Sequence, residues 1–401
     1  MEIIFTILFI LAVVWGVGLL FERLHQPVIL GELLAGLVIG PPLLGIVGEA
    51  GTTGLIGTPI FEWTPALDSI AKLGMFFLVF YAGLVTDPKK LVRRVKTFFG
   101  VGIGGTLLPL LFGGLITWFF THDFYISLIV GLAISGTSIV TKVRILGDLG
   151  ILRSKIGYTM MGGAMVDNIF SFIILAIALK AITAGVVSPL DIGLTVVEVA
   201  LFFGIALFIG YHIYPRVGKL FAHPGARGFT FALIMGLLIA GFGELMGLHF
   251  IIGAYLAGLF VREEFVGGKF RDLDTRFHTL SHGFLGPIFI VSVAFHVRFG
   301  VFETHTLFLV ALVLAAIVGK VIGAGGGGYL TGLKKREALT VGIGMNGRGM
   351  VELALAMVGL EVGILTDVHV SLLVFVAFIT TLITPIGLKY GLKKLHKRSR
   401  T

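Results

Sequence analysis

The chain has 401 residues, of which 56% are hydrophobic and 13% charged, with 58 Gly, no Cys and a formal net charge of +9. Soluble domains carry nearer a quarter charged residues, so a soluble fold is excluded, and the missing Cys removes disulfide frameworks, thiolate metal sites and Cys nucleophiles. A dozen helical spans at about 20 residues each consume roughly 240 residues, and the composition supplies that apolar material, with Gly permitting close helix approach.

In chain order, apolar runs between charged or Pro/Gly breaks predict thirteen helices of an all-α polytopic membrane protein. The first, 3–21, has Arg23 after it and no basic residue before it, the reverse of a signal peptide, and is read as a retained span. Then follow 28–46, 67–85 and 97–120. The fifth, 124–145, is interrupted by Ser135-Gly136-Thr137-Ser138. After it come 156–182, 192–213, 228–246, 249–263, 280–297 and 305–331. The twelfth, 337–360, holds Gly344-Met345-Asn346-Gly347-Arg348-Gly349, and the last is 368–392. All 401 residues read as one transmembrane domain, with no soluble domain.

Orientation follows from the basic residues. Clusters such as Lys89 to Lys96, Lys142 with Arg144, Arg262 to Arg276, Lys334 to Arg336 and Lys389 to Arg400 fall on one side. Of the 31 Lys and Arg, the other side holds only Lys180 and Arg298, and Lys72, Lys320 and Arg348 lie within helices. The N-terminus is therefore expected outside and the C-terminus in the cytoplasm. The net charge becomes a topology signal, and nucleic-acid binding is a poor reading.

Small polar residues at mid-membrane free backbone groups that lipid does not tolerate unless they line a cavity. The two interrupted helices are seven spans apart, an odd number, as inverted repeats require. The plainer alternative is that these patches only permit tight packing.

Each charge inside the membrane is a site hypothesis, because it costs about 2.5 to 3.5 kcal/mol on insertion scales. Asp167 lies near the middle of the sixth helix with no basic residue within a turn, so a proton or a cation is its expected company. Asn168 adds a neutral oxygen ligand. Lys320, in the eleventh helix, is the natural partner of Asp167, with snorkelling to the cytoplasmic edge as the alternative. Arg348 and Glu352, spaced i, i+4, read as a structural or gating pair together with Asn346. Glu32 and Glu244, near helix ends, fit a solvated or capping role as well as a functional one. Gly342 to Gly347 spells GxGxxG but follows no strand, Gly323 to Gly328 lacks a GK[ST], and the 11 His form no metal-ligand spacing. No hydrolase triad is evident and no enzyme is expected.

Four segments carry a family resemblance. These are Gln26-Pro27-Val28-Ile29-Leu30-Gly31-Glu32-Leu33-Leu34-Ala35-Gly36 running on to Gly40-Pro41, Leu73 to Leu84, His249 to Gly258, and the Arg348-Gly349 step. Over nearly its whole length the chain resembles the monovalent cation:proton antiporter-2 family, which includes sodium/proton exchangers and Kef-type membrane domains. The resemblance implies an inverted-repeat antiporter fold with two crossed discontinuous helices. It also implies interleaved dimerisation and mobile core subdomains, a homodimer, elevator-type alternating access and residence in the cell inner membrane. Transported Na+ or K+ and H+ would take the place of any cofactor. The implied ion site is Asp167, the direct cation ligand, with Asn168, Thr137 and Ser138 as oxygen donors and Lys320 as counter-charge. The family's site usually ends in Asp where this chain has Asn168. Three accounts stand: a native variant using Asp167 alone, a register shifted by one, or a disabling replacement. A gated K+ channel or efflux pathway of Kef type, and a non-transporting sensor, remain as alternatives. A cytoplasmic regulatory domain beyond Thr401 is left open.

Overall fold

A computed structural model describes residues 2–86, 95–183, 189–221, 226–262 and 270–396. Lys89, Lys90, Arg93, Arg94, Lys269, Lys397, Arg398 and Arg400 of the orientation argument lie outside the described residues. Nearly everything described is helical. Among the described residues, ten helices are long and apolar enough to cross a membrane, against the thirteen spans expected; two shorter apolar helices are Val28–Ile39 and Phe250–Phe260. The helices are α1 (Glu2–Arg23), α2 (Val28–Ile39), α3 (Pro65–Leu84), α4 (Val95–Thr121), α5 (Phe124–Ser135), α6 (Ile139–Asp148), α7 (Lys155–Thr183) and α8 (Pro189–Phe208). A π turn at Ile209–Ile213 leads to α9 (Tyr214–Phe221), followed by α10 (Ala226–Leu245), α11 (Phe250–Phe260) and α12 (Phe270–Leu280). A second π turn, Ser281–Leu285, joins α12 to α13 (Gly286–Phe295). The remainder are α14 (Val301–Thr304), α15 (Thr306–Leu330), α16 (Lys335–Gly344), α17 (Met350–Glu361) and α18 (Asp367–His396).

Each predicted span has a helical counterpart, with instructive differences at the ends. The span expected over 28–46 stops at Ile39, where the Gly40 N–H still bonds the Gly36 carbonyl but Pro41 and Pro42 offer no amide to continue. The chain then turns through Gly45, at φ +70°, and a two-residue strand, β1 (Val47–Gly48), pairs in parallel with β2 (Phe61–Glu62). The span expected over 280–297 begins ten residues earlier, at Phe270, in the polar helix α12.

The chain divides into two compact units. One comprises Met1–Ala71, Lys90–Ser171 and Pro287–Thr401. Within it α1 covers a core of Ile10, Val14, Ala35, Trp63, Leu67 and Val291, burial that supplies the main non-directional stabilisation. Its closest helix contact runs α4 along α15. A Cβ added to Gly104 would lie 2.2 Å from the Gly323 carbonyl oxygen, and one on Gly327 only 1.8 Å from that of Gly100. Glycine at these positions lets the two backbones touch. The other unit comprises Lys72–Lys89 and Phe172–Gly286. There a Cβ on Gly83 would fall 2.1 Å from the Tyr255 carbonyl oxygen, and Phe80 stacks on Phe277 at 4.6 Å between centroids.

Candidate functional site

All the residues singled out for the ion site lie in the first unit. Small residues of α4 bring its backbone onto α7: a Cβ on Gly102 would meet Val166 at 2.5 Å, and one on Gly163 would meet Val101 at 2.4 Å. One turn beyond Gly102, Thr106 therefore reaches Asp167, donating to Oδ1 at 2.5 Å while also bonding the Gly102 carbonyl. On its other side α4 approaches α15, where a Cβ on Gly105 would lie 3.2 Å from the Ala324 Cβ and 3.7 Å from the Lys320 Nζ. The Lys320 ammonium donates to Asp167 Oδ2 at 2.8 Å, and both side chains are fully buried. Lys320 does not snorkel. Both carboxylate oxygens of Asp167 are thus occupied, one by a hydroxyl and one by a cation.

The two helix breaks meet beside this pair. Ser138 caps α6 by accepting the Thr141 amide at 3.2 Å, so its hydroxyl is committed to the helix start. The Ser138 amide donates to the Gly347 carbonyl at 3.2 Å across the two breaks. Gly349 is needed here for space, since a Cβ would sit 2.9 Å from Ser138 Oγ and 3.0 Å from Thr141 Oγ1. Thr137 Oγ1, both polar atoms of Asn168, and Ser171 Oγ are buried without protein partners. Buried polar atoms are ordinarily paired, so the Thr137, Asn168 and Ser171 groups are open to a water or an ion. Asn346 uses Nδ2 on the Gly342 and Ile343 carbonyls at 3.1 and 3.2 Å and leaves Oδ1 unpaired.

Arg348 Nη1 donates to Glu352 Oε1 at 3.2 Å, both groups fully buried. The Arg348 backbone is held by Thr381, whose hydroxyl accepts the amide at 3.0 Å and lies 3.3 Å from the carbonyl. The pair expected from i, i+4 spacing is present, but it is not remote from the candidate ion site. A Cβ on Gly136 would be 3.4 Å from that of Glu352, and the Lys320 charge interacts with Arg348 and Glu352 as well as Asp167.

The placement of Lys142 is corrected, and one of the two readings of Glu32 falls away. Lys142, counted with the cytoplasmic basic residues, is fully buried, its ammonium donating to the carbonyls of Met345 at 3.4 Å and Gly347 at 3.1 Å. The physical reason is the break itself: α6 starts again at Ile139, inside the protein, and its second turn is still among the broken segments. Glu32 neither caps nor is solvated; it is 5% exposed and Oε2 has no partner. Thr106, Thr381, Ser171 and Lys142 are the site residues that sequence reasoning missed. Lys142 follows a helix-starting Ser by four residues, but that spacing does not fix its depth, and the others left no signal.

Five charges thus lie buried around the breaks, Lys142, Lys320 and Arg348 against Asp167 and Glu352. Among the described residues no group of three or more His, Cys, Asp or Glu could hold a metal ion. A free cation reaching the Asp167 carboxylate would have to displace or share the Lys320 ammonium already on it.

A sequence profile of the family described as sodium/hydrogen exchanger, transmembrane, matches residues 7–394. The Na(+)/H(+)-K(+) antiporter GerN of Bacillus cereus is 30% identical over 393 residues, covering 97% of this chain and 96% of that protein. The Na(+)/H(+) antiporter of Enterococcus hirae is 28% identical over 379 residues, covering 94% of each. In fold, the chain resembles the sodium proton antiporter MjNhaP1 from Methanocaldococcus jannaschii at pH 8. There the TM-score is 0.69 at 17% identity, with 98% of this chain and 99% of that one covered.

Proposed function

Because the chain belongs to the sodium/hydrogen exchanger family, a family of multi-pass membrane transporters, we propose that it exchanges Na+ or K+ for H+ at Asp167. The observation that carries this reading is the fully buried Asp167–Lys320 pair at 2.8 Å, since a carboxylate held by a removable cation is poised to trade one positive partner for another. The named activities of the relatives, sodium and potassium against protons, agree with it. The cation enters among Asp167, the amide oxygen of Asn168 and the Thr137 hydroxyl. Lys320 supplies the charge in its absence. Arg348, Glu352 and Asn346 keep the broken segments in register. Access alternates in the elevator manner, in a homodimer of the cytoplasmic membrane with its N-terminus outside.

The test is a pH-gradient dissipation assay in proteoliposomes with Na+, Li+ and K+ in turn, comparing the chain with Asp167→Asn. Cation-dependent dissipation that Asp167→Asn removes supports the proposal. No dissipation with any of the three ions refutes it, and continuous current beyond transporter rates would assign the chain to the gated-channel class instead.

A further inference from the structure

One buried charge has no place in the exchange just described. Lys142 is fully buried, and among the described residues no carboxylate lies within ion-pair reach of it. Its ammonium rests instead on two backbone carbonyls, Met345 and Gly347. Both belong to the stretch between α16 and α17, where the helix is interrupted. Interrupted membrane helices use such freed carbonyls to coordinate monovalent metal cations, and a buried ammonium ordinarily needs a carboxylate to offset its desolvation. Here a protein cation occupies a seat of the kind a free ion takes. Nearby lie atoms that a free ion could also use: Thr137 Oγ1 and Asn346 Oδ1 are buried oxygens, one on each break, with no protein partner. The same ammonium acts electrostatically on Lys320, Asp167 and Arg348, so its charge is felt where the transported ion would sit.

We propose that Lys142 is a tethered cation seated on a carbonyl site of its own chain, and that it sets cation affinity by keeping that site closed to free Na+ or K+. The inference rests on the reading that the transported ion binds beside Asp167. Lys142 touches neither that carboxylate nor its ammonium partner; it is a specificity-determining residue. With it in place the free ion is confined to the Asp167 side of the crossing and works against a third buried positive charge. With its charge removed, the Met345 and Gly347 carbonyls become available to a free ion and the repulsion is relieved.

The test uses the full chain purified in detergent, reading thermal stability and 22Na+ binding in NaCl, KCl and choline chloride. Lys142→Met keeps the length and apolar stem of the side chain and deletes the charge; Lys142→Arg keeps the charge. Lys142→Met is expected to gain a melting-temperature rise in NaCl or KCl that choline does not give, because an ion that binds only the folded state stabilises it. Its apparent Kd for that ion should fall about tenfold or more, equivalent to about 1.4 kcal/mol. Lys142→Arg should bind like the parent chain. If Lys142→Met folds but its Kd stays within about twofold, or if Lys142→Arg shows the same gain, the proposal is overturned. Should Lys142→Met not fold in choline chloride, folding restored by NaCl or KCl supports it and folding restored by neither overturns it. Binding is read without transport. An inactive parent in the proteoliposome assay, together with a gain in Lys142→Met, would sink the exchange reading and leave the tethered cation standing.

Discussion

Replacing Asn168 by Asp perturbs the site by one charge and almost nothing else. The side chain is fully buried, and neither of its polar atoms has a protein partner, so the near-isosteric carboxylate breaks no hydrogen bond. Around the breaks it raises the buried acids from two, Asp167 and Glu352, to three, matching Lys142, Lys320 and Arg348. Two unit charges about 4 Å apart attract by about 4 kcal/mol at an effective dielectric constant of about 20. At about 1.4 kcal/mol per tenfold in affinity, the ceiling is roughly 10³-fold. Desolvation of the new carboxylate works against this by several kcal/mol, in part offset by the excess of positive charge already present. The expected result is a KM for Na+ lower by roughly 10- to 100-fold in proteoliposomes, with about one more proton exchanged per cation, read from the reversal potential. A variant that folds with an unchanged melting temperature, yet keeps its KM within twofold and its coupling ratio unaltered, would refute the reasoning.

Asp167→Asn should abolish cation-dependent pH-gradient dissipation, because no other carboxylate touches Lys320 in the described structure. Arg348→Ala should destabilise the chain by about 3 to 5 kcal/mol by leaving Glu352 buried and unpaired, whereas Arg348→Met combined with Glu352→Leu should cost clearly less; guanidinium melts of all three decide it. Thr381→Val removes both bonds to the Arg348 backbone and is expected to lower stability by about 1 to 3 kcal/mol, seen as a lower melting temperature. Gly323→Ala places a methyl about 2.1 Å from the Gly104 carbonyl oxygen, so α4 and α15 must separate. Loss of about 1 to 3 kcal/mol should be accompanied by a weakened Asp167–Lys320 contact and slower exchange.

How far the sequence could be read depended on whether a feature is set by one helix or by several. Arg348 and Glu352 share a helix face by spacing alone, and Asp167 and Lys320 announce themselves because charges in apolar runs need company. Both pairs are present in the structure. The places of Lys142 and Glu32 were not legible. Lys142 sits two residues before Arg144 in a chain of basic residues facing one side, and only the depth at which the helix resumes after Ser138 puts its ammonium inside. Thr106 looks like one of many hydroxyls that bond their own helix backbone, which it also does; its bond to Asp167 depends on the approach of α4 to α7. The end of the second helix at Ile39 was readable from Pro41 and Pro42, yet apolar Leu43 to Ile46 masked the stop, and β1 was too short to leave an alternating pattern.

The counter-charge of Asp167 comes from far along the chain: Lys320 is 153 residues later, whereas Thr106 is 61 residues earlier. A chain made from its N-terminus therefore delivers the acid to the bilayer long before the base. Through the making of α8 to α14 the only one of these two partners already synthesised is a hydroxyl on α4. The nascent protein must carry a lone acid in its sixth span, at an insertion cost of about 2.5 to 3.5 kcal/mol, until α15 emerges and docks on the glycines of α4. Biogenesis and the proposed ion binding would thus draw on the same contact: the surface that seats Lys320 also gives the acid its charged partner during assembly. Chains truncated before α15 should accordingly be degraded faster than chains truncated after it, and neutralising Asp167 should narrow that gap.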